Sequence, residues 1–194
     1  VKHFYQSIDG WFDFQELYKE MVSLHDNAKF VEVGVWRGTS TCFLGVEIVN
    51  QNKNIQLDTI DNYPTIKEQS IPKEFKKNIE PFKFISHIYK DSVVASGLYE
   101  NESIDFIFFD SEHTEEYATK EINAWYPKVK IGGFMGGHDY ISFLNPNFRY
   151  VVGVGNAVNK IFNNNFKLYP GQRDHNGRIY GPSWLHKKVE KSLF

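Results

Sequence analysis

The segment Phe30-Val31-Glu32-Val33-Gly34-Val35-Trp36-Arg37-Gly38-Thr39-Ser40 constrains the chain more than any other. An apolar run carrying one acidic residue passes into a turn bounded by two glycines, and a helix start follows. Gly34 and Gly38 permit backbone angles and close approaches that a side chain would block. Thr39 and Ser40 stand where they can cap the helix and leave its first amides facing a ligand. A dinucleotide loop needs G-x-G-x-x-G, and Trp36 replaces its middle glycine. No Lys follows Gly38, so the loop is not a triphosphate cradle either. Glu32 would repel a phosphate and welcome a cationic amino-acid group or hydroxyls.

The remaining periodicity alternates strands with helices. Apolar positions at helical spacing predict an amphipathic helix over Trp11 to Leu24 that covers a sheet edge or the ligand site. Strands are expected at Lys29 to Gly34, Ile55 to Ile60, Phe82 to Tyr89, Ile104 to Asp110 and Gly132 to His138. The fourth is nearly all apolar and so buried on both faces. Helices are expected at Thr39 to Asn50, weakly at Ile66 to Asn78, in a short piece before Tyr99, at Glu115 to Tyr126 and at Asn156 to Phe162. Phe166 to Tyr169 and Arg178 to His186 read as closing strands. This alternation argues an α/β fold with a doubly wound, mostly parallel sheet.

Each of the first five strands carries or is followed at once by polar residues: Glu32, Asp61, Asp91, Asp110, and the pair His138 and Asp139. Ligands of open α/β sheets bind outside the carboxyl ends of the strands. Any one of these residues could be a cap or a turn residue. Their recurrence at neighbouring strand ends points to a site.

At 194 residues the chain fits one domain. It divides into a helical cover over 1–27, a cofactor-binding core over 28–140, and substrate-side loops and closing strands over 141–194. A hydrophobic share of 41% and a charged share of 24% are those of a soluble globular protein. A net charge of −2 gives no broad electrostatic claim on nucleic acid or anionic membrane. Cys42 is the one cysteine, which excludes an internal disulfide and a cysteine zinc cage. With no signal-peptide pattern at the start and no spanning apolar run, a cytoplasmic location is expected. The aromatic N-terminal helix offers a surface for a homodimer.

The pattern E-x-G-x-x-x-G-x-S at Glu32 to Ser40 resembles motif I of class I S-adenosylmethionine (SAM) methyltransferases. The variant is that of the catechol-type and macrocin-type O-methyltransferases. Asp105 to Tyr117 looks like that family's strand-four motif, and Trp125-Tyr126-Pro127 through Gly132-Gly133 to His138-Asp139-Tyr140 resembles the segment after it. Gly153-Val154, Ala157-Val158 and Ser183 to Lys188 extend the likeness to most of the chain. The resemblance implies a Rossmann-like, seven-stranded sheet with an antiparallel last strand and SAM over the first three strand ends. Glu32 and Gly34 match the motif that contacts the methionine part, with Gly38, Thr39 and Ser40 completing the loop. Asp61 matches the acidic residue that takes both ribose hydroxyls, as a carboxylate can. Asp91 and Ser92 match residues near the adenine.

In the metal-dependent members a carboxylate follows strand four and an acidic pair follows strand five. Asp110 matches the first and also borders the cofactor, and Asp139 matches the second member of the pair. His138 stands where an acidic residue is usual. Oxygen-only ligands suit Mg, whereas an imidazole shifts preference toward Mn, Fe or Zn. His113 matches the position of a catalytic base, and an imidazole of ordinary pKa about 6.5 can take a hydroxyl proton near neutrality. The implied reaction is SAM-dependent methylation of a hydroxyl on a small molecule or sugar, assisted by a divalent metal. Three alternatives stand beside it: a metal-independent methyltransferase of the same fold, an NAD-dependent oxidoreductase, and a non-catalytic SAM- or nucleotide-binding module. The region Ile141 to Tyr150 and the segment Gly171 to Gly177 are expected to wall the acceptor.

Overall fold

Phe106 and Phe108 pack on one face of a central strand, and Ile107 and Phe109 on the other. This two-residue alternation builds two apolar layers around one sheet. The computed structural model describes residues 1–63, 70–141, 143–144 and 151–190. In chain order it gives α1 (Gln15–Leu24), β1 (Asn27–Val33), α2 (Thr39–Asn50), β2 (Asn54–Ile60), α3 (Ser70–Ile79), β3 (Ile85–Ile88), α4 (Ser92–Ala95) and β4 (Ile104–Phe109). There follow α5 (Glu115–Trp125), β5 (Val129–Gly137), β6 (Phe143–Leu144), β7 (Val151–Val152), α6 (Val154–Phe162), β8 (Lys167–Tyr169) and β9 (Ser183–Lys187).

Seven strands form one sheet in the order β3-β2-β1-β4-β5-β9-β8. The first five run parallel, β9 runs antiparallel to β5, and β8 runs antiparallel to β9. This is the Rossmann-like arrangement with an antiparallel last strand. The strand order reverses between β1 and β4, which opens a crevice at their carboxyl ends. Strands β6 and β7 pair apart from the main sheet.

One layer joins α1 and α2 to the sheet through Phe12, Tyr18, Phe30, Phe43, Phe106 and Phe108. The other joins α5 and α6 through Val31, Ile107, Ile122, Trp125, Val158 and Trp184. Each large side chain buried this way is worth about 1.5–3 kcal/mol. Among the described residues no helix is long and apolar enough to cross a membrane.

Several boundaries differ from the periodicity. The helix expected from Trp11 starts only at Gln15. Phe12 and Phe14 are buried, but Asp13 between them is drawn out of helical geometry by contacts to the far end of the chain. Strand β3 begins at Ile85 rather than Phe82, because Phe82 closes a turn by donating its amide to the Ile79 carbonyl. Strand β5 extends back to Val129, and β9 begins at Ser183 rather than Arg178. The expected helix over Ile66 to Asn78 is seen as α3, and its positions 66–69 lie outside the described residues. Most of the expected acceptor wall from Ile141 to Tyr150 also lies outside them.

Candidate active site

The turn after β1 is pressed against the end of β4. Gly34 has φ +80°, and a Cβ there would stand 2.0 Å from the Asp110 carbonyl oxygen. Its amide donates to the Ile60 carbonyl at 2.9 Å, which ties the turn to β2 as well. Trp36 is left-handed at φ +47°, and Gly38 closes the turn at φ +91°. Asp61, after β2, holds this turn from the side. Its Oδ2 accepts from the amides of Val35 at 3.0 Å and Trp36 at 3.2 Å, and its Oδ1 from the amide of Tyr63 at 2.8 Å. Burial raises the Asp61 carboxyl, and these three amides oppose the shift.

Glu32 points inward instead of into the crevice. It is 1% exposed. Its Oε1 accepts from Ser40 Oγ at 2.6 Å and Tyr18 OH at 2.8 Å, and its Oε2 accepts from Thr41 Oγ1 at 2.6 Å. These bonds lock α1 and α2 to β1. Burial pushes its carboxyl up to about 7 against the pull of these hydroxyls. Thr39 and Ser40 are not caps. Gly38 is the N-cap, without a side-chain bond, and Ser40 serves Glu32 while Thr39 Oγ1 reaches the Ile8 carbonyl at 3.4 Å.

Asp91 and Ser92 also have internal partners. Asp91 caps α4, accepting from the Val94 amide at 3.0 Å, and its other oxygen accepts from Tyr117 OH. Ser92 is buried and accepts from Trp125 Nε1 at 3.1 Å. The two residues expected near the adenine thus form a helix cap and a core hydrogen bond at the end of β3.

The loops after β4 and β5 bring Asp110, His113 and Asp139 together, one ligand atom of each lying within 4.8 Å of the others. His113 Nε2 lies 3.0 Å from Asp139 Oδ2 and 3.6 Å from Asp110 Oδ1. Asp139 is off the hydrogen-bond direction and Asp110 is too far, so this buried nitrogen has no hydrogen bond among the described residues. Thr114 caps α5. Asp139 sits at φ +52°, a conformation that costs about 1–3 kcal/mol in a non-glycine residue.

His138 lies behind this group. Its Nε2 is 2.7 Å from Asp13 Oδ1, and its Nδ1 is 3.2 Å from Asp139 Oδ2 and 3.8 Å from Asp110 Oδ1. Both ring nitrogens of His138 thus face carboxylates, and of the expected metal residues Asp110 and Asp139 converge with His113 as well. Burial disfavours charge on both rings, yet the carboxylates prevail. Asp110 and Asp139 raise His113 to about 10, and Asp13 and Asp139 hold His138 well above the ordinary value. Burial would raise the Asp139 carboxyl, but the two imidazoles hold it well below the usual range.

A family model described as a methyltransferase domain matches residues 31–140, more than half of the chain. The chain belongs to the methyltransferase-domain family. No curated protein matches its sequence. A Corynebacterium glutamicum protein of known structure superposes on this methyltransferase with a TM-score of 0.65 at 9% identity, over 97% of this chain and 86% of the other. A SAM-dependent O-methyltransferase from Thermotoga maritima does so with a TM-score of 0.63 at 11% identity, over 93% and 66%. Fibrillarin from Aeropyrum pernix, solved with natively bound SAM, gives 0.57 at 11% identity, over 84% and 67%. At these identities the likeness is one of fold. Family and fold together make the chain a SAM-dependent methyltransferase and set aside the NAD-dependent alternative.

Sequence reasoning missed Asp13. Its signal was an acidic residue set between Phe12 and Phe14 in an otherwise apolar stretch, since a charge buried there needs a partner.

Proposed function

We propose that this methyltransferase transfers the SAM methyl group to a hydroxyl of a small molecule or sugar beside Asp110, His113 and Asp139. The contact of Gly34 with the Asp110 backbone carries the reading, because it sets the glycine-bounded turn directly beside the polar cluster. The Gly34–Gly38 turn would hold the amino-acid part of SAM through its backbone. Asp61 braces that turn and keeps acceptor capacity for the ribose hydroxyls.

The donor set fits a divalent cation. Two carboxylates and one imidazole converge, and His113 Nε2 is buried without a hydrogen bond. Asp110, His113 and Asp139 would hold the ion, a mixed set that suits Mn, Fe or Zn besides Mg. Such an ion supplies Lewis acidity to an oxygen. The chain's own part is to align and to move a proton. At neutral pH the two carboxylates keep a proton on His113 Nε2. A ring nitrogen given to the ion cannot also take a proton, so His113 would serve as base only in the metal-independent reading. There its own proton leaves first, Nε2 takes the hydroxyl proton as the oxygen attacks the sulfonium methyl in line, and the breaking C–S bond releases S-adenosylhomocysteine. Alignment of the two reactants supplies much of the rate.

Calorimetry with S-adenosylhomocysteine, then transfer from labelled SAM to a panel of catecholic and sugar hydroxyls, tests the reading. Binding of the homocysteine product and metal-restorable transfer to oxygen are expected. Undiminished transfer after exhaustive chelation would establish the metal-independent reading instead.

A further inference from the structure

We infer that Asp13 is a positioning residue of this site: it fixes His138 as a strut that sets Asp139 and Asp110 for the cation, on which reading the inference rests. Asp13 is 0% exposed and His138 is 5% exposed. A carboxylate is not buried so deeply without partners. Asp13 has them on both oxygens. Oδ1 faces His138 Nε2 at 2.7 Å, and Oδ2 accepts from the amides of Tyr180 at 2.7 Å and Gly181 at 3.2 Å. Space is reserved for this arrangement, since a Cβ on Gly171 would stand 2.4 Å from Asp13 Oδ2.

The far side of the ring abuts the cluster. His138 Nδ1 faces Asp139 Oδ2 at 3.2 Å. Asp139 needs such a brace, because its backbone is left-handed at φ +52° and would relax if freed. Phe14 packs on the ring with centroids 5.1 Å apart, which limits its rotation. The segment from Ile8 to Phe14 therefore crosses from α2 to the cluster: the Ile8 carbonyl accepts from Thr39 Oγ1, Trp11 meets Trp36, and Asp13 reaches His138.

The test uses the full chain stripped of metal, with Mn²⁺ as the probe. Asp13→Asn and His138→Gln should each weaken Mn²⁺ binding about 10–100-fold, the range for partners behind metal ligands. The double variant should be no worse than either single one. S-adenosylhomocysteine affinity and the circular dichroism spectrum, which report the rest of the fold, should stay as in the parent. The imidazole spectrum of His138 supplies a readout without any cation: its Nε2 proton should lie far downfield in the parent and move back in Asp13→Asn. Parental Mn²⁺ affinity in Asp13→Asn, or losses that multiply in the double variant, would overturn the inference. If the parent binds no Mn²⁺ but its His138 resonance depends on Asp13, the strut stands and its service to a cation falls. An unmoved resonance sinks the strut itself. Should Asp13→Asn fail to fold, His138→Gln decides by the same Mn²⁺ measurement.

Discussion

Gly34 and Asp110 touch backbone to backbone: a methyl group on Gly34 would stand 2.0 Å from the Asp110 carbonyl oxygen and 2.8 Å from the Ser111 amide. Neither atom belongs to a side chain that could swing away. Gly34 also has φ +80°, so alanine there meets strain and collision together. Gly34→Ala should cost at least about 2 kcal/mol of stability or displace the cluster. Urea denaturation and S-adenosylhomocysteine binding measure the two outcomes. A variant with parental values of both would show that the crevice is not shared.

Asp61 braces the same turn through the amides of Val35, Trp36 and Tyr63. Asp61→Ala removes all three bonds and any contact with the ribose. Hydrogen bonds to a charged group are worth about 1.5–3 kcal/mol each, so the dissociation constant for S-adenosylhomocysteine should rise at least about tenfold. Calorimetry checks it, and an unchanged constant would reduce Asp61 to a turn residue.

His113 should titrate far from an ordinary histidine. With burial overcome by Asp110 and Asp139, its imidazole is raised to about 10 in the metal-free chain. Asp139→Asn takes away one of the two carboxylates, so the value should fall toward the ordinary range. Saturating Mg²⁺ should lower it in the parent too, since a cation and a proton compete for the same place. Imidazole resonances followed from pH 5 to pH 11 give both answers; a parental inflection that ignores Asp139 would remove the ion pair from the account.

Glu32 gives a pH effect of definite sign. Its folded value of about 7 lies above the ordinary 4.5. The folded chain thus keeps a proton that the unfolded chain has lost. The stability that Glu32 contributes is complete below about 4.5 and is lost as pH rises through about 7. Glu32→Gln lacks this loss. Relative to the parent, the variant should gain on the order of 3 kcal/mol between pH 4 and pH 8. Urea midpoints of the two chains in chelated buffer provide the comparison.

Much of this was readable in advance because it is local. The run Ile104 to Phe109 is apolar at every position but Asp105, so it could only be an interior strand. The glycines of the first turn announced their backbone angles. What could not be read depends on partners distant in sequence. The apolar spacing of Trp11, Phe14, Leu17 and Met21 is helical, but the chain is helical only from Gln15, because Asp13 is claimed by His138, 125 positions away. The contact of His138 with Asp13 was unreadable for the same reason. Glu32 was legible as important but not as buried, since the hydroxyls that enclose it come from two separate helices.

The family match begins at residue 31, inside β1, and ends at residue 140. Asp13 lies before that stretch, and Tyr180 and Gly181 lie after it. Grafting 31–140 into a relative would transplant Asp110, His113, His138 and Asp139 together, yet sever the ring from its anchor. The cluster's supports thus reach beyond the matched stretch on both sides, through the contacts of Asp13 with His138, Tyr180 and Gly181.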